Sequence, residues 1–315
     1  MSTTFSSDQW GLILGGSSGF GLATARKLAQ HGMNLCVVHR DRRGALARIQ
    51  PEFEKIRADG VELLSFNVDA LDAGKRASVL DELAGALGED GRVRVLLHSI
   101  AFGNLKLLVP EAPVVRGDVQ ELAKKLGIDE RKLRQAADEV FEEGGDRAQA
   151  LATPPAYSPK HFLDEHDFER TIFNMGTSLL CWVQGLFERD LFADDARVLG
   201  LTSEGNAVAW KGYAAVGAAK MALESLARSI AVEYAPYGIR CNVIQPGIAE
   251  TPALAAIPGS AHLKAQTRLR NPFGRLTTPA DVANVVYLLS TDEAAWINGE
   301  VIRVDGGEHI SGALV

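Results

Sequence analysis

Tyr213 and Lys220 have the residue types and the spacing to exchange a proton. At about 100° per residue, seven residues of helix return a side chain to nearly the same azimuth, so the two would share one face about 10 Å apart. An ammonium beside a phenol favours the phenolate, which makes the phenol a better proton donor and acceptor near neutral pH. Ser203 stands seventeen residues before Lys220, in Gly200-Leu-Thr-Ser-Glu-Gly205. If that segment follows a strand, its hydroxyl lies at the carboxyl end, where open α/β sheets bind ligands. It could then hydrogen-bond a substrate oxygen or, equally, cap the next turn.

A second group of residues has the character of a nucleotide site. Leu14-Gly15-Gly16-Ser17-Ser18-Gly19-Phe20-Gly21 directly follows an apolar run and precedes a helical pattern. Glycines at this spacing let a phosphate approach the free N–H groups of a helix N-terminus without a Cβ in the way. Where an adenosine ribose would arrive, at the end of the second apolar run, stand His39 and Arg40. An acid there accepts from the ribose hydroxyls of NAD(H), whereas basic residues suit a 2′-phosphate, so NADP(H) is expected over NAD(H). Asn67 and Val68, after the third run, would lie beside the adenine, although Asn67 is equally a common turn residue.

Positioning these residues requires a parallel sheet covered on both faces, and the pattern agrees. Apolar runs at 10–14, 35–38, 61–66, 93–98, 198–201, 239–244 and 300–304 alternate with helical segments near 20–31, 43–58, 74–87, 165–188, 209–234 and 279–290. The expected fold is α/β, a doubly wound, Rossmann-like sheet of about seven strands forming one domain over residues 1–315. Residues 105–163 break the rhythm. They hold no strand candidate, only helical segments near 117–126 and 129–143 between the Pro-containing flanks 109–113 and 153–155. This is expected to be a helical hairpin inserted after the fourth strand as a subdomain or lid.

The chain has 315 residues, 46% hydrophobic and 23% charged, with a formal net charge of −7, so it has no overall attraction to polyanions or anionic lipid. Residues 120–137 resemble a helix-turn-helix, but over 116–147 seven basic against nine acidic residues leave a net of −2, so nucleic acid is not expected as a partner. Cys36, Cys181 and Cys241 show no metal-like or redox-like spacing and are expected to be reduced thiols. No metal is expected. Without a membrane-length apolar run or a leader pattern, the expected location is cytoplasmic.

Taken together, these motifs resemble the short-chain dehydrogenase/reductases over nearly the whole chain outside the insertion. Arg240-Cys-Asn-Val-Ile-Gln-Pro246-Gly247-Ile248-Ala-Glu-Thr251 is similar to that superfamily's segment lining the nicotinamide carboxamide, with Thr251 near the pyrophosphate, and Val304-Asp-Gly-Gly307 to its C-terminal signature. The usual catalytic pair there is Tyr-x3-Lys, but Val216 stands four residues before Lys220. Tyr-x6-Lys resembles a divergent enoyl-acyl-carrier-protein reductase, in which the displaced tyrosine goes with reduction of a carbon–carbon double bond conjugated to a thioester. Leu97-His98-Ser99-Ile100-Ala101-Phe102 is similar to the same group, with Ser99, Ile100 and Ala101 beside the nicotinamide and Ala101 in place of a common glycine. Where ketone reductases carry a catalytic asparagine, the resemblance places Met175, with Asn174 one residue away. Ser203 matches the superfamily's usual serine, whereas many enoyl reductases have a second tyrosine.

The resemblance thus implies an NAD(P)H-dependent enoyl-thioester reductase acting in fatty acid or related acyl synthesis, possessing Tyr213, Lys220 and Ser203 as catalytic residues. It implies an acyl thioester as substrate, on acyl carrier protein or coenzyme A, and a homo-oligomer, dimer or tetramer. A ketone or alcohol oxidoreductase of the same superfamily is the first alternative, and a catalytically silent cofactor-sensing or scaffold protein the second.

Overall fold

The computed structural model describes residues 4–111, 117–158 and 160–312. Seven strands, β1 (Gln9–Leu14), β2 (Asn34–His39), β3 (Leu63–Asn67), β4 (Arg92–His98), β5 (Phe192–Leu201), β6 (Ile239–Pro246) and β7 (Val301–Val304), form one sheet in the order β3-β2-β1-β4-β5-β6-β7. Every pairing is parallel. The helices are α1 (Gly19–Ala29), α2 (Arg43–Ala58), α3 (Ala73–Leu87), α4 (Gly117–Leu126), α5 (Glu130–Glu142), α6 (Glu165–Ile172), α7 (Ser178–Phe187), α8 (Ala214–Glu233), α9 (Pro252–Ala255), α10 (Ser260–Arg270) and α11 (Pro279–Ser290). The predicted doubly wound, Rossmann-like α/β fold is the one observed.

Alternation along the strands divides the interior into two layers. Leu12 and Leu14 of β1 and Cys36 and Val38 of β2 face one cluster, with Leu80 and Leu83 of α3, Trp182 and Val183 of α7 and Leu223 of α8. Ile13, Leu35 and Val37 face the other, with Leu28 of α1, Phe53 and Ile56 of α2 and Val282 and Val286 of α11. Trp182 is fully buried and its indole N–H donates to the Ala70 carbonyl at 3.1 Å, so the ring is buried without an orphan donor. Strand order reverses between β1 and β4, and the crevice at their carboxyl ends is where this topology places a ligand.

The structure departs from the expected elements in four places. β5 begins at Phe192, earlier than its apolar run, because Asp195 inside it accepts from Arg94 of β4, Arg197 of β5 and Arg240 of β6; the carboxylate that hides the strand in the sequence is an ion-pair hub across three strands. The single helix expected at 165–188 is two, α6 and α7, joined by a π turn at Phe173–Thr177. The helix expected from 209 starts at Ala214, because Gly212 adopts a left-handed φ of +74° that no helix continues through. α9 and α10, absent from the sequence reading, form a wall after β6.

The insertion is rooted by a parallel bridge between Leu107 and Phe162, with Leu163 N–H donating to the Leu107 carbonyl at 2.9 Å. α4 and α5 form the predicted hairpin, followed by a 3-10 turn at Asp146–Ala150 that packs on α10. Arg268 of α10 holds both carboxylate oxygens of Asp146, at 2.8 and 2.5 Å, and the rings of Phe141 and His262 lie 4.9 Å apart. Part of the expected connector 109–113 lies outside the described residues. Among the described residues no helix is long and apolar enough to cross a membrane, and no group of His, Cys, Asp and Glu is arranged to hold a metal.

Candidate active site

A cavity of about 500 Å³ runs along the carboxyl ends of β1, β2, β4, β5 and β6. Its first wall is the Gly-rich turn. Gly15 has φ +86°, and a Cβ there would stand 2.5 Å from the Ser99 carbonyl oxygen, so only glycine lets the turn close against the loop after β4. Gly21 serves the same closure from within α1, where a Cβ would stand 2.3 Å from the Gly15 oxygen; it packs the turn and does not line the cavity. Ser18 is the N-cap of α1 and makes no side-chain cap bond, so the first-turn N–H groups have no protein acceptor from it. Gly15, Ser17, Ser18, Gly19 and Phe20 line the cavity, and Thr251, the N-cap of α9, comes within 3.4 Å of where a Cβ on Gly19 would be. This cradle of glycine, open helix N-terminus and opposing threonine fits a diphosphate.

At the far end of β2 the side chains are already engaged. His39 is buried, with Nδ1 2.9 Å from Asp41 Oδ2 and Nε2 3.3 Å from the Ser65 hydroxyl, so it shapes the wall from within. Arg40 is half-exposed, donates to Asp69 Oδ2 at 2.7 Å and lies over the Phe102 ring at 4.3 Å. Val68 lines the cavity, whereas Asn67 does not: its amide exchanges two hydrogen bonds with the backbone of Asp41, at 2.9 and 3.1 Å, and clamps the loop after β2. The turn-residue reading of Asn67 is therefore the one the geometry supports.

The opposite half of the cavity holds the proton-exchanging groups. The Tyr213 hydroxyl lies 3.1 Å from the Ser203 hydroxyl. Tyr213 is not inside the helix, as its spacing suggested, but is the N-cap of α8, with non-helical φ −109° and ψ 5°. Its ring lies against Gly205, where a Cβ would stand 2.3 Å from Cε1, and meets Trp210 edge-on at 5.3 Å between centroids. Burial raises the phenol above its ordinary value, opposed by the hydrogen bond from Ser203. The nearby ammonium is not among the groups that move the phenol; Lys220 Nζ donates to the Leu201 carbonyl at 2.8 Å. Burial pulls Lys220 down to about 8, against the pull of Glu224, which accepts from Thr202 at 2.5 Å and from Asn206. His98 is fully buried beneath it, lowered to about 3 first by desolvation and then by Lys220, with Nε2 2.9 Å from the Ser178 hydroxyl.

Ser99, Ile100, Ala101, Pro246, Gly247 and Ile248 all line the cavity. Met175 does too, while the π turn sets Asn174 behind it, its amide donating to the Phe102 carbonyl at 3.1 Å. Val216, one turn before Lys220, is buried with Met175 and Ala219. Sequence reasoning missed Phe102, Leu105, Trp210 and Ile257 on loops and Leu254 on the one-turn α9, an apolar group with no periodicity to reveal it, and the carboxylates Glu204 and Glu308. The adjacency of Glu204 to Ser203 was the one available signal. Cys36 and Cys241 are buried and Cys181 partly so; all three are free thiols.

Residues 128–309, more than half of the chain, match the family model described as Enoyl-(Acyl carrier protein) reductase. The chain is 27% identical over 297 residues to a cis-4-hydroxycyclohexanecarboxylate dehydrogenase of Sinomonas cyclohexanicum, covering 94% of each. It is 28% identical over 302 residues to a probable 2,4-dienoyl-CoA reductase of Bacillus subtilis (strain 168), covering 95% of this chain and 96% of that one. The solved enoyl-[acyl-carrier-protein] reductase (NADH) of Aquifex aeolicus VF5 superposes with a TM-score of 0.69 at 23% identity, covering 97% and 98%. With its parallel seven-stranded sheet, Gly-rich turn and this match, the chain belongs to the short-chain dehydrogenase/reductase superfamily of oxidoreductases, within the family of that model.

Proposed function

We propose that this protein reduces the carbon–carbon double bond of an enoyl thioester, carried on acyl carrier protein or coenzyme A, and takes NADP(H) in preference to NAD(H). The observation that carries the reading is Val216. The position four residues before Lys220 is occupied by an apolar side chain packed between Met175 and Ala219, so the phenol has to come from Tyr213, three residues earlier.

A reduced nicotinamide, held along the glycine cradle, would supply hydride to the β-carbon, and the enolate so formed would take up a proton at its α-carbon to complete the reduction. Tyr213 then donates a hydrogen bond to the thioester carbonyl oxygen as negative charge develops there, an interaction strongest in the transition state. Its N-cap position supports this role, since the hydroxyl faces the cavity beside Ser203. Lys220, with a value of about 8, is mostly protonated at neutral pH and supplies positive potential next to the ribose position. Leu105, Met175, Trp210, Leu254 and Ile257 give the substrate end an apolar lining suited to an acyl chain. Arg40 can meet a 2′-phosphate by leaving Asp69, which supports the cofactor preference.

A second reading, reduction of a ketone or oxidation of an alcohol, is favoured by the Ser203–Tyr213 hydrogen bond, a pair able to hold one carbonyl oxygen between them. The similarity to the Sinomonas cis-4-hydroxycyclohexanecarboxylate dehydrogenase also supports it. Assay of crotonyl and acetoacetyl thioesters side by side with NADPH separates the two. Preferential consumption of the crotonyl thioester is expected; turnover of the acetoacetyl thioester alone assigns the ketone reading. Binding of NADPH with no turnover of any acceptor assigns a silent cofactor-binding protein.

A further inference from the structure

Arg270 is the last residue of α10, and its Nη2 donates to Glu204 Oε2 at 2.8 Å and to Glu308 Oε1 at 2.9 Å. Glu204 directly follows Ser203 and opens the short turn at Glu204–Asn206. Glu308 lies in the turn after β7 and is 2% exposed. Its Oε1 also accepts from the Thr267 hydroxyl at 3.1 Å, and its Oε2 from the Ile248 N–H at 3.3 Å. Both carboxylates line the cavity and the guanidinium stands behind them. One cation therefore joins three walls: the loop bearing Ser203, the loop bearing Gly247 and Ile248, and α10. The fit is close, since a Cβ on Gly247 would come within 2.7 Å of Glu308 Oε2.

We propose that Arg270 is a positioning residue, whose bridge to Glu204 and Glu308 fixes the Ser203 loop against the loop after β6 and so sets where the substrate oxygen is held. The inference rests on Ser203 touching that oxygen. Two carboxylates at this spacing repel in a poorly solvated site unless a cation lies between them. Both bonds leave the one nitrogen Nη2, whose two N–H directions the planar guanidinium holds fixed, whereas a lysine ammonium on a flexible stem holds them less rigidly. Arg268 and Arg270 are two residues apart on α10, about 200° around the helix, so they project to nearly opposite sides. One holds Asp146 of the insertion and the other holds Glu204, which places α10 as a strut between the insertion and the site.

The test uses Arg270→Gln, Arg270→Lys and Glu204→Gln, each alone and in a Ser203→Ala background. The assay employs whichever of the crotonyl and acetoacetyl thioesters the unmodified protein turns over, so the choice between double-bond and ketone reduction does not enter the result. Arg270→Gln is expected to lower kcat about tenfold with little change in substrate KM, and to lower the thermal midpoint as well, because it leaves two carboxylates facing each other without a cation. Arg270→Lys is expected to recover part of that loss, and Glu204→Gln to lower kcat in the same direction. In the Ser203→Ala background the same substitutions are expected to change kcat by less than about twofold, because the group they position is gone. Equal losses in both backgrounds, or no loss in either, overturn the proposal. Should Arg270→Gln fail to fold, Glu204→Gln, which retains the cation, decides by the same comparison. Absence of turnover in the unmodified protein overturns the functional reading and this proposal together, and that control distinguishes it from failure of the bridge alone.

Discussion

The Ser203 and Tyr213 hydroxyls stand 3.1 Å apart, one on the loop after β5 and the other at the threshold of α8. Because either can donate, a carbonyl oxygen placed between them receives a proton-bearing neighbour from each side. Replacing Tyr213 by Phe keeps the ring packed on Gly205 and Trp210 and removes only the hydroxyl. This variant is expected to lose about 10²- to 10⁴-fold in kcat while NADPH affinity, read by fluorescence titration, stays within about twofold. Full turnover in Tyr213→Phe would remove the phenol from the chemistry.

Lys220 gives the rate a defined alkaline limb. Burial places the ammonium at about 8, and activity that depends on it should fall as pH rises through that value. Glu224 favours the protonated form, so Glu224→Gln should lower the Lys220 value further and move the limb to lower pH. A kcat/KM profile checks the sign, and a limb that stays put or moves upward contradicts it. Stability responds in the opposite sense: between about 8 and the ordinary value of 10.5 the unfolded chain binds more protons than the folded one, so this group makes folding more favourable as pH rises there.

Arg40 is paired with Asp69 and stacked on Phe102. If it meets the 2′-phosphate of NADPH, Arg40→Ala should raise KM for NADPH about tenfold and change KM for NADH much less. Asp69→Asn, which frees the guanidinium, should improve NADPH use. Equal effects of Arg40→Ala on both cofactors would place the side chain away from the phosphate.

Asp146 holds α10 from the insertion through two hydrogen bonds to Arg268. Asp146→Ala should loosen α10 and the adjoining cavity-lining residues 251–254, 256 and 257. A several-fold rise in substrate KM is expected, with faster hydrogen exchange in α10, while kcat changes little. An unchanged exchange pattern would show that the insertion does not hold the wall.

The layered core was plain in the sequence because strands buried on both faces read as continuous apolar runs, as 35–38 does. The glycine cradle was equally legible, since close backbone approach leaves no other residue type available at Gly15. The start of α8 was not, because Tyr213 and Lys220 fit a helical stripe although Gly212 ends it one residue early. Nor was the Asp195 hub, as a carboxylate amid an apolar run looks like a strand boundary until its arginines arrive from neighbouring strands. Arg270, Glu204 and Glu308 come together only through the crossing of three separate loops, and no local pattern in the chain encodes that meeting.

The root of the insertion has a wider implication. Leu107 and Phe162 pair directly, so the chain leaves and rejoins the scaffold at neighbouring points, and among the described residues none from 106 to 174 lines the cavity. A segment attached in this way behaves as a graft. Provided the Asp146 contact that steadies α10 is kept, it can be shortened, lengthened or exchanged for the modest entropy of re-closing a loop, and the outer appendage diversifies while the residues lining the reaction chamber stay the same.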